Sequence, residues 1–174
     1  MAAMLLRVKQ TLASLALALA LFTCVWVSRN FLAGEVVGSF MPLAGRTAIA
    51  WIAVVGGLLP ALPLGLAYGF MRTRNVLAGA IVVAVLACVF ELAAASVAVP
   101  WWTFVTWWVL PLECLTVLLF FVFTALAGSQ LLQRVLPVVR FRVGVGMFVL
   151  LTVGAATWPW LYSCIHLNVC SIVA

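Results

Sequence analysis

The 174-residue chain is 68% hydrophobic and 7% charged, and it contains no aspartate. Its mean hydropathy of +1.36 excludes a soluble globular domain, because the polar segments are too short to form one beside the apolar stretches. The formal charge of +6, from 9 basic and 3 acidic residues, is typical of short loops anchored on one side of a membrane and does not indicate nucleic-acid binding.

Five apolar stretches are long enough to cross a bilayer, whose hydrocarbon requires about 20 residues per helix. The sequence therefore predicts an all-α, polytopic membrane helix bundle that forms a single domain. The predicted spans are residues 11–28, 47–70, 76–99, 103–127 and 143–163. The first span follows Arg7 and Lys9 as a signal peptide would, but its apolar run continues through Val27 and no clear cleavage site follows.

The basic residues are distributed unequally between the two sides of the membrane in this predicted topology. Most of them precede span one or lie between spans two and three or four and five: Arg7, Lys9, Arg72, Arg74, Arg134, Arg140 and Arg142. Only Arg29 and Arg46, with Glu35 between them, fall on the other side. Because short loops rich in Lys and Arg stay in the cytoplasm, we expect a cytoplasmic N-terminus and an external C-terminus in a bacterial inner membrane.

The second span contains the sequence GGLLPALPLG, from Gly56 to Gly65, in which two prolines interrupt the apolar run. A proline inside a helix has no N–H to donate, so Pro60 leaves the carbonyl of Gly56 free. Pro63 likewise frees the carbonyl of Leu59. The prolines either kink the helix and shape the bundle, or unwind it near the midplane as a site for an ion or substrate.

Spans three and four each carry a glutamate within the hydrocarbon, where ionisable groups usually face the bundle interior or a cavity. Glu91 and Glu113 lie equally far in sequence from Trp102, in the turn between their helices. A tight antiparallel hairpin therefore places them at nearly the same depth. With the carbonyls of Gly56 and Leu59 they form the candidate proton or cation site, since two adjacent carboxyls rarely ionise together.

Helical spacing of small residues on span three indicates which way Glu91 points. These residues are Ala80, Ala84, Ala87, Cys88, Ala94, Ala95 and Ala98. Small side chains permit close helix approach, so Glu91 is predicted to enter a helix–helix interface. Thr106 and Thr116 are expected to offer hydroxyl partners to Glu113 from its own helix, and desolvation is expected to favour protonated carboxyls.

The segment from Gly128 to Arg142 mixes aliphatic residues with glutamines and arginines. It is predicted to lie along the cytoplasmic membrane surface. Its arginines are expected to attract anionic lipid headgroups, with a dedicated protein-docking site as the alternative. They are Arg134, Arg140 and Arg142.

The tryptophans all fall at or near the predicted outer ends of spans: Trp26, Trp51, Trp101, Trp102, Trp107, Trp108, Trp158 and Trp160. Indole rings favour the membrane interface, but an ordinary aromatic belt would occupy both interfaces. The pattern indicates either a one-sided lipid anchor or an outward aromatic surface, centred on residues 100–108, that contacts a partner protein or a lipid-like ligand.

The cysteines show no spacing typical of a metal site or a redox pair. Three lie inside spans and are interpreted as small packing residues: Cys24, Cys88 and Cys114. Cys164 and Cys170 lie on the predicted outer side, where an oxidising compartment would let them form a disulfide, with unpaired thiols as the alternative. His166 is the single histidine, so the sequence predicts neither a metal site nor a cofactor.

One histidine and no aspartate exclude most membrane enzymes, leaving thiol exchange at the tail cysteines as the one enzymatic alternative. The favoured interpretation is a non-catalytic accessory or assembly subunit that binds a membrane-protein partner, or its own copies, through helix contacts and the aromatic surface. A small proton- or cation-coupled transporter or channel that uses Glu91 and Glu113 is the first alternative. An immunity-type protein that binds a membrane-targeting toxin is the second.

The predicted threading can be tested with single cysteines in a cysteine-free background and a membrane-impermeant maleimide. A cysteine in the C-terminal tail should react in intact cells. Cysteines placed beside Arg72 or Arg140 should react only after the membrane is opened, because basic loops stay in the cytoplasm. The reverse pattern would contradict the predicted orientation.

Overall fold

A computed structural model describes residues 2–40, 46–72, 75–97, 103–131 and 136–167, with side chains over 11–32, 50–72, 75–96, 109–131, 136–155 and 157. Every secondary-structure element within these ranges is an α-helix. The helices are α1 (Ala2–Phe40), α2 (Arg46–Met71), α3 (Val76–Val97), α4 (Thr103–Leu131) and α5 (Pro137–Leu167).

Each helix contains a stretch that is long and apolar enough to cross a membrane. These stretches are Thr11–Leu32, Ala50–Met71, Val76–Ser96, Val109–Leu131 and Pro137–Ala155. The chain is therefore a multi-pass membrane helix bundle, and the predicted fold class is confirmed. The predicted second span agrees with α2 to within one residue at each end.

Three helices extend further than the sequence indicated. Helix α1 continues past the predicted end at residue 28 to Phe40, because a charged residue ends an apolar run without ending a helix. The predicted surface segment 128–142 is also largely helical, since α4 runs to Leu131 and α5 begins at Pro137. Proline is favoured in the first turn of a helix, where its missing N–H has no helical partner to lose.

Helix α2 is the centre of the bundle. It runs parallel to α4, which is its most extensive contact, and antiparallel to α1 and α5. Helix α3 packs mainly against α1 and α4. Helices α2 and α4 therefore end, and α3 and α5 begin, at the same side of the bundle. We call this side the basic face, because Arg72, Arg140 and Arg142 lie there.

A ridge of small residues on α2 allows its close contact with α4. The members of the ridge lie four positions apart along one face of the helix, and they are Gly57, Ala61, Gly65 and Gly69. A Cβ at Gly65 would lie 2.7 Å from the carbonyl oxygen of Phe121, so a larger residue would displace α4. On the facing helix, a Cβ at Gly128 would lie 2.6 Å from the carbonyl oxygen of Leu66.

The two prolines of α2 lie inside the helix and do not interrupt it. The alternative of an unwound segment between Gly56 and Gly65 is therefore not what the structure shows. Helix α4 packs closely against α2 at this level, where the hydroxyl oxygen of Thr124 lies 3.3 Å from the carbonyl oxygen of Ala61. Packing against neighbouring helices is one of the factors that make proline tolerable inside a membrane helix.

Arg140 holds the basic-face end of α2. Its side chain is buried, and its Nε donates to the carbonyl of Phe70 at 3.0 Å. Its Nη2 donates to the carbonyls of Gly69 at 3.3 Å and Arg72 at 2.8 Å. These carbonyls lie where a helix lacks internal donors and carries partial negative charge. Arg140 is thus not free to meet lipid headgroups as the sequence suggested, whereas Arg142 is exposed.

Gly65→Ala should lower the free energy of unfolding by about 1–3 kcal/mol, because the added methyl group overpacks the contact between α2 and α4. Gly146→Ala is the matched control, since a Cβ at Gly146 has no atom within 4 Å. The control should be neutral or stabilising by up to about 1 kcal/mol through helix propensity. Unfolding in detergent measures both variants, and equal destabilisation would contradict the role of the ridge.

Candidate functional site

Arg29 lies inside the first membrane-spanning stretch and not in an outer loop. The apolar stretch of α1 covers Thr11–Leu32, so the expectation that the span ends before Arg29 was wrong. A charged side chain is tolerated within the hydrocarbon when it faces the bundle interior and finds opposite charge there. The packing of α1 against α3 provides that opposite charge.

The guanidinium of Arg29 joins the two intramembrane glutamates. Its Nη1 donates to Oε1 of Glu91 on α3. The same nitrogen donates to Oε2 of Glu113 on α4 at 2.9 Å. One nitrogen therefore ties α1 to both helices of the α3–α4 hairpin. We call these three residues the Arg29 cluster.

The carboxyls are the most deeply buried part of the Arg29 cluster. Glu91 and Glu113 are 4% and 1% exposed, and the side chain of Arg29 is 23% exposed. Each carboxyl has a second buried oxygen, Oε2 of Glu91 and Oε1 of Glu113, with no hydrogen-bond partner among the described residues. Fully ionised, the cluster carries one net negative charge, which is costly away from water. Uptake of one proton makes it neutral.

Gly56 and Gly57 determine how close α2 comes to the cluster. A Cβ at Gly56 would lie 3.1 Å from Cα of Arg29. A Cβ at Gly57 would lie 3.2 Å from Cγ2 of Val117 and 3.6 Å from Cγ of Glu113. Consecutive helix positions point about 100° apart, so one glycine faces α1 and the other faces α4. The pair thus allows α2 to touch both helices at the level of the cluster.

The small-residue face of α3 turns Glu91 inward. Ala80, Ala84 and Ala87 are buried on the same side of the helix. A cavity of about 10 Å³ beside the carboxyls is lined in part by Cys88 and by residues of α1 and α4. This volume corresponds to about one water molecule. The site is therefore closely packed around the two carboxyls.

Comparison with protein-family models, with curated proteins and with solved structures finds no match to this chain. The site is therefore interpreted from its own chemistry. Two buried carboxyls that share one cation can take up or release a proton between them. Within the described part of the chain, no three His, Cys, Asp or Glu side chains are grouped so that they could hold a metal ion.

Within the described part of the chain, no hydrogen bond joins the other predicted members of the site to the two carboxyls. Thr116 is buried, but its hydroxyl donates to the carbonyl of Leu112 in its own helix at 2.8 Å. Leu59 directs its side chain outward, where it is 53% exposed, into a groove between α1, α2 and α5. Thr106 belongs to α4, and its side chain lies outside the described ones.

The predicted aromatic surface is described only in part. Trp26 and Trp51 are 47% and 68% exposed, respectively. The remaining tryptophans, the tail cysteines and one arginine fall outside the described side chains: Trp101, Trp102, Trp107, Trp108, Trp158, Trp160, Cys164, Cys170 and Arg134. The docking surface and the tail disulfide therefore stay predictions.

Sequence reasoning found the carboxyls but missed the cation that binds them. A signal was present, because two acidic groups in hydrocarbon require a positive partner. Arg29 is separated from the apolar run by one residue, Ser28, and is followed within three residues by Phe31 and Leu32. An arginine with apolar residues a few positions away on both sides is a candidate for the inside of a span, where it can pair with intramembrane carboxyls.

Arg29→Gln should lower the free energy of unfolding by about 3–5 kcal/mol, because it leaves two buried carboxyls without their cation. Arg142→Gln is the matched control and should change stability by less than about 1 kcal/mol, since it removes an exposed arginine. Changing Glu91 and Glu113 to Gln in the Arg29→Gln background should restore much of the loss. If Arg29→Gln unfolds no more easily than the control, the ion pairs do not stabilise the bundle.

Proposed function

We propose that this protein is a small proton-coupled membrane transport protein, with the Arg29 cluster as its proton-binding site. The observation that supports the proposal is one guanidinium shared by two buried carboxyls. Fully ionised, this arrangement binds Arg29 twice but carries a net charge. Singly protonated, it is neutral but binds Arg29 through one carboxylate. Opposing costs of this kind are what allow a buried site to exchange a proton.

Proton occupancy would also change how the helices are tied together. A protonated carboxyl interacts less strongly with Arg29, so protonation of Glu91 weakens the link from α1 to α3, and protonation of Glu113 weakens the link to α4. Transport requires at least two arrangements of the bundle whose balance a bound proton can shift. The contact of Gly56 with Arg29 would transmit a movement of α1 to α2.

The accessory or assembly subunit that the sequence favoured is the second candidate. It is supported by the small cavity, which leaves little space beside the carboxyls, and by the way one arginine braces three helices. In that function one carboxyl stays protonated and acts only as a hydrogen-bonding group. The toxin-immunity hypothesis requires only an intramembrane surface for direct contact with a toxin, and it stays a prediction.

The proposed location is the inner membrane of a bacterial cell, with the basic face toward the cytoplasm. Short loops rich in arginine favour that side. Arg72, Arg140 and Arg142 all lie at the basic face. Because Arg29 belongs to the membrane interior, the opposite face has even fewer basic residues than the sequence suggested.

Infrared spectroscopy of the protein in lipid, recorded against pH, tests the proposed site, because only a protonated carboxyl shows the carboxylic C=O stretch. We expect one carboxyl of the wild type to titrate. Glu91→Gln and Glu113→Gln should abolish this titration while the protein stays folded, since glutamine keeps shape and hydrogen bonding. Glu→Leu at either position should instead disturb assembly by stranding the remaining polar groups.

Transport itself is tested with proteoliposomes under a potassium diffusion potential and a pH-sensitive dye inside. Wild-type protein should acidify the interior faster than protein-free vesicles, and each Gln variant should reduce the rate to the protein-free level. A carboxyl that stays protonated throughout the pH range of the folded state, without proton flux, would contradict the proposal. A stoichiometric partner recovered in mild detergent would then support the accessory function.

A further inference from the structure

A crevice of about 440 Å³ opens between α1, α2 and α5 at the basic face. Its walls are mainly apolar and include Ala16, Leu17, Met71 and Phe141. Arg72 also lines it, directly after the apolar stretch of α2 ends at Met71. The crevice therefore combines an apolar interior with a cation at the level where α2 leaves the hydrocarbon.

The guanidinium of Arg72 is positioned by Tyr68. Its Nη1 donates to the Tyr68 hydroxyl, and its Cζ lies 5.8 Å from the centre of the Tyr68 ring. Gly79 on α3 leaves the space for this pair, because a Cβ there would lie 2.8 Å from Cζ of Arg72. The contact with Tyr68 uses one of the five N–H donors of a guanidinium, so the group retains the capacity to bind an anion.

Neither of the carboxyl side chains that the structure describes lies at the basic face to neutralise Arg72. Two of the chain's 3 acidic residues, Glu91 and Glu113, belong to the Arg29 cluster. The third, Glu35, is on α1 past the membrane-spanning stretch, at the opposite side of the bundle. The other arginines of the basic face only add positive charge. The described side chains therefore offer Arg72 no counter-anion.

We propose that this crevice binds one anionic phospholipid, with its phosphate on the guanidinium of Arg72 and an acyl chain against Leu17, Met71 and Phe141. Arginine binds phosphate through paired N–H donors as well as through charge, and basic residues at a membrane surface attract anionic lipids. A zwitterionic lipid fits the site less well, because its headgroup brings a second cation toward Arg72. A free phosphate ion also fits less well, because it leaves the apolar walls of the crevice uncovered.

Native mass spectrometry of the delipidated full chain tests this site by titration with phosphatidylglycerol or phosphatidylcholine of identical acyl chains. We expect one phosphatidylglycerol to bind at least about fivefold more tightly than phosphatidylcholine, which is the factor one basic residue contributes near an anionic surface. Excess inorganic phosphate should not displace the lipid, because the acyl chain contributes to its binding.

Substitutions distinguish the contribution of the Arg72 charge to lipid binding from the contribution of the apolar crevice. Arg72→Gln should abolish the preference for phosphatidylglycerol, whereas Arg72→Lys should retain part of it. Arg142→Gln, which removes an exposed arginine from the same face, should keep the preference, because Arg142 does not line the crevice. Ala16→Phe should fill the crevice and weaken the binding of both lipids while Arg72 remains in place.

Equal loss of preference in Arg72→Gln and Arg142→Gln would overturn the proposal, since it would indicate diffuse attraction to the whole face. Equal affinity of the wild type for the two lipids would overturn it as well. If Arg72→Gln does not fold, Ala16→Phe decides, because unchanged lipid binding in that variant would show that the lipid is not in the crevice.

Discussion

The buried charge of Arg29 is the constraint on which the arrangement of the bundle depends. A guanidinium in hydrocarbon must be neutralised where it lies. This requirement brings α1, α3 and α4 to one level through Glu91 and Glu113. Removal of any one of these three charged side chains breaks at least one of the two ion pairs, so the positions of the three helices are coupled. Because the cluster has one carboxyl more than it has cations, the proton that we propose for this site would also change that coupling.

Helix α2 contributes no charge to the cluster, but it packs closely beside it. Within a bilayer the hydrophobic effect does not drive helices together, so close contact of small residues has to hold them. Gly56 allows α2 to approach Arg29, and Gly57 and Gly65 allow it to approach α4. The Arg29 cluster lies at one end of this glycine-lined contact. A substitution that separates α2 from α4 is therefore expected to disturb the charged site as well.

The two halves of the bundle differ in their electrostatics. Both described carboxyls lie in the Arg29 cluster, away from the basic face. At the basic face, Arg140 binds backbone carbonyls at the end of α2, and Arg72 lies on Tyr68. The proposed proton site and the proposed lipid site thus lie toward opposite ends of α2. A defect in one would not by itself imply a defect in the other.

The sequence by itself determined the membrane class, the number of spans and the presence of two intramembrane carboxyls, because apolar length and the cost of a buried charge are local properties. It could not determine the partner of each polar group. From the sequence, Arg29 was expected beyond the end of a span, but in the structure it lies beside Glu91 and Glu113. Arg140 was expected in a loop, but it binds the end of α2. Gly65 was expected in a helix break, but it faces the backbone of α4. Only the tertiary structure decided these roles, because a polar group or a glycine in a membrane helix takes its role from its neighbour, and that neighbour is distant in sequence.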